Sequence, residues 1–135
     1  MGRSRGGFGS KLHLAVDARG LPVELHLTAG QESDAAYAGL LLGEHRPGAV
    51  IADKGYDSDR IVQAIKDRGA RVVIPPLRCR KLPRRYDRQR YKERNLAERF
   101  IGKIKQYRRV ATRYEKKAAN YLAFVHLASV MVLLR

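Results

Sequence analysis

Only one cysteine, Cys79, stands among the 135 residues. That excludes an internal disulfide and a paired-cysteine zinc site, and it fits a reducing, intracellular setting. Tryptophan is absent and aromatic residues make up 7% of the chain, which argues against an RNA-binding module built on stacked rings. Long apolar runs are missing as well. The most hydrophobic stretch, "YLAFVHLASVMVLLR", is interrupted by His126 and Ser129. It falls short of the roughly 18 to 20 apolar residues that a membrane span needs, so it reads as a buried helix and no membrane partner is expected. The opening "MGRSRGGFGS" has no apolar segment of a secretory signal. Its glycines and arginines predict a flexible basic start over residues 1–10.

Acidic residues are also scarce: 13 against 28 Lys and Arg, a net charge of +15. The imbalance is local. Residues 78–117 hold 17 basic and 4 acidic side chains, whereas the rest of the chain holds 11 and 9. A positive field concentrated in this way attracts a polyanion and speeds its encounter. Nucleic acid is the expected partner.

What remains is ordinary for one globular domain, with 44% hydrophobic residues. Two alternating runs, "KLHLAVD" (11–17) and "VELHLT" (23–28), flank a turn containing Gly and Pro and predict a β-hairpin. A helix is expected near 34–43, with Ser33 or Asp34 at its N-cap. "GAVIAD" (48–53) and "ARVVIPP" (70–76) read as short buried strands. Between them lies a helix, capped by Asp57 or Ser58 and stopped at Gly69. Two further helices are expected at roughly 90–109 and 118–134. The order β-β-α-β-α-β-α-α predicts an α/β fold, a mixed sheet with helices packed on it.

Asp53 ends a predicted buried strand, where an α/β sheet presents groups that contact ligands. A carboxylate there suits a hard cation such as Mg²⁺. It equally suits the start of a turn, since "DKGY" is turn chemistry. Asp57 and Asp59 read as capping and first-turn residues rather than ligands. His13 and His26 read as strand-face residues rather than zinc ligands. On a helix turning 100° per residue, Tyr91, Arg94, Glu98 and Lys105 fall within about 60° of one another. Leu96, Phe100, Ile104 and Tyr107 lie opposite. The polar stripe is either a solvated face with an Arg94–Glu98 ion pair or a built site.

Tyr91, Arg94, Glu98 and Lys105 stand at the spacing Y-x₂-R-x₃-E-x₆-K, which resembles the signature of DDE transposases of bacterial insertion sequences. "GRSRGGFGSKLHLAVDARGLPVELHLTAGQESD", "IADKGYDSD", "RNLAERFIGKIKQYRRVATRYEKK" and the closing "NYLAFVHLASVMVLLR" are similar to the second half of such transposases, in the same order and over nearly the whole chain. The resemblance implies a ribonuclease H-like fold. It makes Asp53 the second metal-binding aspartate and Glu98 the third acid. It places Tyr91, Arg94 and Lys105 against transposon-end DNA. Arg108, Arg109 and Arg113, in "RRVATRYEKK", are expected along DNA too, with a solvated linker as the alternative.

The chain departs from the family at one point. The family's first catalytic aspartate lies on a strand upstream of the "GRSRGG" block, so that first strand is expected to be missing here. Asp17 fits the hairpin turn better than it fits that role. The chain is therefore expected to be a partial catalytic domain, a second-frame product or a C-terminal fragment of a transposase. Such an enzyme would cut and join DNA at element ends with Mg²⁺ or Mn²⁺. The alternative is a catalytically inactive DNA-binding remnant. Expected partners are transposon-end and target DNA, the upstream transposase part, and a second copy in a synaptic homodimer. The expected location is the bacterial cytoplasm, with the nucleoid.

Overall fold

The computed structural model describes residues 2–4, 7–30, 33–107, 110 and 118–134. The chain, read above as one domain, divides into two compact units, residues 1–32 with 96–135 and residues 33–95.

The first unit is built on an antiparallel sheet of strands β1 (Gly2–Ser4), β2 (Gly7–Val16) and β3 (Pro22–Ala29), in that order. The start expected to be flexible thus carries β1 and the beginning of β2, with Arg3 paired to Phe8. β2 and β3 pair from Ser10↔Ala29 to Val16↔Pro22, with an irregularity at Ala15/Val16. Period-2 alternation puts Leu12, Leu14, Val16 and Leu25 toward one core. Asp17 closes the hairpin as expected: its Oδ1 accepts the Leu21 N–H at 3.0 Å and the Arg19 N–H at 2.9 Å. The Leu21 hydrogen bond is the main cause holding its carboxyl below the usual range.

Helix α4 (Asn95–Ile104) and the last helix, α5 (Ala118–Leu133), complete this unit. Phe100 and Ile104 from α4 meet Val125 and Ala128 from α5, with Val110 between them in the sequence. α5 carries no charged side chain. It sinks Val125, Ala128 and Ser129 and leaves Leu127, Val130 and Met131 exposed. The Ser129 hydroxyl is satisfied by donating to the Val125 carbonyl at 2.8 Å. No helix among the described residues is long and apolar enough to cross a membrane.

The second unit opens with a 3₁₀ turn, Asp34–Tyr37, and a short helix α1 (Ala38–Leu42). Then come β4 (Ala49–Ile51), a 3₁₀ turn at Lys54–Tyr56, α2 (Asp59–Asp67) and β5 (Arg71–Val73). β4 and β5 pair in parallel, Ala49↔Arg71 to Ile51↔Val73, as a strand–helix–strand crossover requires. Ile61 and Ile65 of α2 pack with Ala38, Ala70 and Ile74. Ser58 is the N-cap of α2, its hydroxyl accepting the Ile61 N–H at 3.2 Å. The helix ends on Gly69 at φ 74°. The Ala70 N–H returns to the Ile65 carbonyl and the Gly69 N–H to that of Lys66, satisfying carbonyls that would otherwise be orphaned. A Cβ at Gly69 meets nothing within 4 Å, so its cost is purely conformational. Gly69→Ala is expected to lower stability by about 1 kcal/mol, read as a reduced midpoint in thermal unfolding.

Two expectations are corrected here. The single mixed sheet is instead two small sheets, one antiparallel and one parallel. Hairpins and crossovers are local, so the sequence marks them. The helix expected over 90–109 is three pieces: α3 (Arg88–Tyr91), a 3₁₀ turn (Lys92–Arg94) and α4, which ends at Ile104.

Candidate nucleic-acid interface and metal centre

Asp53 follows β4 by two residues, after Ala52 extends the pairing with an N–H to the Val73 carbonyl at 3.2 Å. It caps the turn at 54–56, Oδ1 accepting the Gly55 N–H at 2.9 Å. Both readings of Asp53 are therefore compatible. One oxygen shapes the turn, and Oδ2 makes no hydrogen bond among the described residues. Glycine at 55 allows this close approach, since a Cβ there would lie 3.0 Å from Asp53 Oδ1 and the carboxylate would have to give way. Tyr56 follows on the same turn, half-buried. Its phenol is pushed up to about 12, first by burial and then by the negative charges of Asp34 and Asp53. It stays a protonated O–H at any working pH. Asp34 was read from the sequence only as a helix-cap candidate and Tyr56 was not singled out; the "DKGYD" run was the available signal for the tyrosine.

Asp57 is a different case. Its side chain is fully buried, and it does not cap α2. Oδ2 accepts the Leu77 N–H at 2.7 Å and Arg80 Nε at 2.6 Å, while Oδ1 takes Arg84 Nη2. Arg80 also reaches the exposed Asp59 at 2.9 Å. Burial alone would raise the Asp57 carboxyl. The Leu77 amide and the two guanidinium groups outweigh it and hold the carboxyl below its ordinary value. The capping role assigned to Asp57 belongs to Ser58 alone. Partners 20 to 27 residues away leave no local pattern by which the sequence could show this.

Of the polar stripe, Tyr91 and Arg94 come together in the second unit. The Arg94 guanidinium lies over the Tyr91 ring at 6.0 Å. Tyr86 meets Tyr91 edge-on with centroids 5.7 Å apart, and Arg88 lies over Tyr86 at 5.9 Å. The result is an Arg–Tyr–Tyr–Arg ladder in which each cation faces an aromatic ring. Asp87 fixes its backbone by capping α3, accepting the Arg90 N–H at 3.0 Å.

Glu98 and Lys105 belong to the first unit. Glu98 is exposed in the first turn of α4, and Phe100 and Ile104 of the same helix are buried. The two-faced character expected of this helix holds over α4. Lys105 is exposed one residue past its end, its N–H still bonded to the Ile101 carbonyl at 3.0 Å. A 3₁₀ turn advances about 120° per residue. The 100° wheel drawn from Tyr91 therefore does not pass unchanged through 92–94 to Glu98. Arg108, Arg109 and Arg113 lie outside the described residues. Among the described residues no three His, Cys, Asp or Glu side chains form a set that could hold a metal ion.

The comparisons with known proteins agree with one another. The family model described as "Transposase DDE domain" matches residues 2–133. A Brucella ovis protein named "Putative transposase for insertion sequence element IS6501" is 41% identical over 130 residues, covering 93% of this chain and 98% of that protein. A Burkholderia cepacia protein named "Putative transposase for insertion sequence element IS402" is 30% identical over 136 residues, covering 92% of this chain. This chain spans 62% of that relative's length. No solved structure matches. With the match running over nearly every residue and both relatives named for insertion sequences, the chain belongs to the DDE transposase family of bacterial insertion sequences.

Proposed function

We propose that this chain supplies part of the catalytic domain of an insertion-sequence transposase, ribonuclease H-like in architecture, which cleaves and joins DNA at element ends. The observation that supports this best is Asp53. It follows a parallel strand pair and keeps one carboxylate oxygen free while the other shapes its turn. Asp53 and Glu98 would hold Mg²⁺ or Mn²⁺, and their donor chemistry fits a hard cation. When bound, the metal supplies a polarised phosphate and an activated oxygen nucleophile. The remaining ligand would come from outside these residues, from the upstream part of the transposase.

The chain's own cations then position the DNA. Arg94 offers a planar, bidentate grip on phosphate and Lys105 a mobile point charge. Tyr91 has Arg94 on one face and the Tyr86 edge against it, so its role is to orient Arg94 and present its hydroxyl. Arg108, Arg109 and Arg113 would extend the same track. A second copy would complete a synaptic complex, and the working location would be the nucleoid in the bacterial cytoplasm.

The test is a fluorescence-anisotropy titration of duplex DNA across a salt series, with a parallel electron paramagnetic resonance titration of Mn²⁺. Binding is expected to fall linearly in log–log form, with Arg94→Ala and Lys105→Ala each reducing the slope by about one. Bound Mn²⁺ is expected in the DNA complex and lost in Asp53→Asn and in Glu98→Gln. A chain that binds DNA yet gives the same Mn²⁺ signal in all three forms would instead be a non-catalytic DNA-binding relative.

A further inference from the structure

The basic segment after β5 is not uniformly available to a ligand. Arg80 and Arg84 turn inward, with side chains 21% and 23% exposed, and both sit on the fully buried Asp57 carboxylate. The Leu77 N–H binds the same carboxylate, so the segment is anchored at three points along its length. Asp57 and Asp59 balance the charge of these two arginines. Between and beyond the anchors stand Arg78, Lys81, Arg85 and Arg88, all exposed. The only acid among them in sequence is Asp87, whose Oδ1 is engaged in capping α3.

A loop of this composition would ordinarily stay loose, because its like charges repel and its Leu82 is 86% exposed. Here one buried acid, which the proposed catalytic role does not use, offsets that repulsion and fixes the spacing of the outward cations. Cations held in place lose less freedom on binding than cations on a mobile loop. The matching ligand is a regularly spaced polyanion, the phosphodiester backbone of duplex DNA.

We propose that Asp57 is a latch that locks residues 77–88 so that Arg78, Lys81, Arg85 and Arg88 grip a DNA backbone as one preformed surface. Arg80 and Arg84 belong to the latch and do not touch DNA. The proposal rests on the reading that the chain binds DNA. Asp57 is a positioning residue, and its effect can be told from simple electrostatics by sign. Removing an acid from a polyanion-binding protein raises affinity if only net charge matters. Removing the latch lowers it.

Anisotropy titrations of a duplex oligonucleotide over a salt series, on the full chain, decide the matter. Asp57→Asn, with far-UV circular dichroism matching the parent, is expected to bind roughly five- to tenfold more weakly despite its extra positive charge. Trypsin is expected to cut it faster after Arg80 and Arg84. Each of Arg78→Ala, Lys81→Ala, Arg85→Ala and Arg88→Ala is expected to flatten the salt slope by about one. Arg80→Gln is expected to leave the slope unchanged, and it keeps the test informative if Asp57→Asn does not fold. Tighter binding by Asp57→Asn, or a slope reduced by Arg80→Gln as much as by Arg78→Ala, would overturn the latch. Loss of salt-dependent binding by the parent chain would instead overturn the DNA-binding reading beneath it.

Discussion

Replacing Asp57 with alanine is expected to lower the unfolding free energy by about 3 kcal/mol at neutral pH, because removing one partner of a buried ion pair strands the others. Two guanidinium groups and the Leu77 amide lose their shared acceptor at once. The figure sits at the low end of the range for such losses because Arg80 and Arg84 are about one-fifth exposed and can recruit water. The pH dependence makes the cause visible. The folded state holds the Asp57 carboxyl below its unfolded value. Its stabilisation is therefore complete above the unfolded value and is lost as the pH falls through the folded one. The gap between parent and variant should be flat from neutral pH downward and should shrink below about pH 4. Other carboxylates, Asp17 included, contribute equally to both proteins and cancel in the difference. Urea unfolding at neutral and acid pH measures it. A gap that stays constant across that range would mean that lost packing, not the ion pair, sets the cost.

The latch also shows where sequence reasoning reached its limit. Features specified within one turn or one pleat were legible: the β2–β3 hairpin, a cap at Asp57 or Ser58, the stop at Gly69 and the buried stripe of α4. Asp17 was placed correctly because an aspartate before "ARGLP" has its hydrogen-bond donors two and four residues away. Asp57 has no such signal, since its partners come from the next strand's far side, after two prolines. The break at Lys92–Arg94 was equally hidden, because Lys, Glu and Arg all favour helix interiors and nothing local marks a tighter turn. Of the candidate site, Asp53 could be named from its place after a strand and from the family resemblance, Glu98 from the resemblance alone. The ladder through Tyr86 and Arg88 could not, because its ring contacts depend on side-chain directions that spacing does not fix.

Phe100→Ala is expected to cost about 3–5 kcal/mol, the range for removing a large aromatic ring from a packed core. Phe100 is 1% exposed and packs in one cluster with Ile104, Val110, Val125 and Ala128, while Leu12 and Leu14 of the sheet close on the same group. Losing the ring therefore opens a cavity where sheet, α4 and α5 meet. Total domain stability is typically about 5–15 kcal/mol, so the variant should retain little protection of the β2, β3 and α4 amides from hydrogen exchange. Leu127 supplies the control. It belongs to the uncharged α5 but is 58% exposed, and Leu127→Ala should change stability by under about 0.5 kcal/mol. The contrast separates two explanations of the hydrophobic C-terminal half. If burial against the sheet holds the unit together, Phe100 matters and Leu127 does not. If the two substitutions cost the same, the exposed side of α5 is covered in solution, and the apolar surface on Val130 and Met131 is part of an interface.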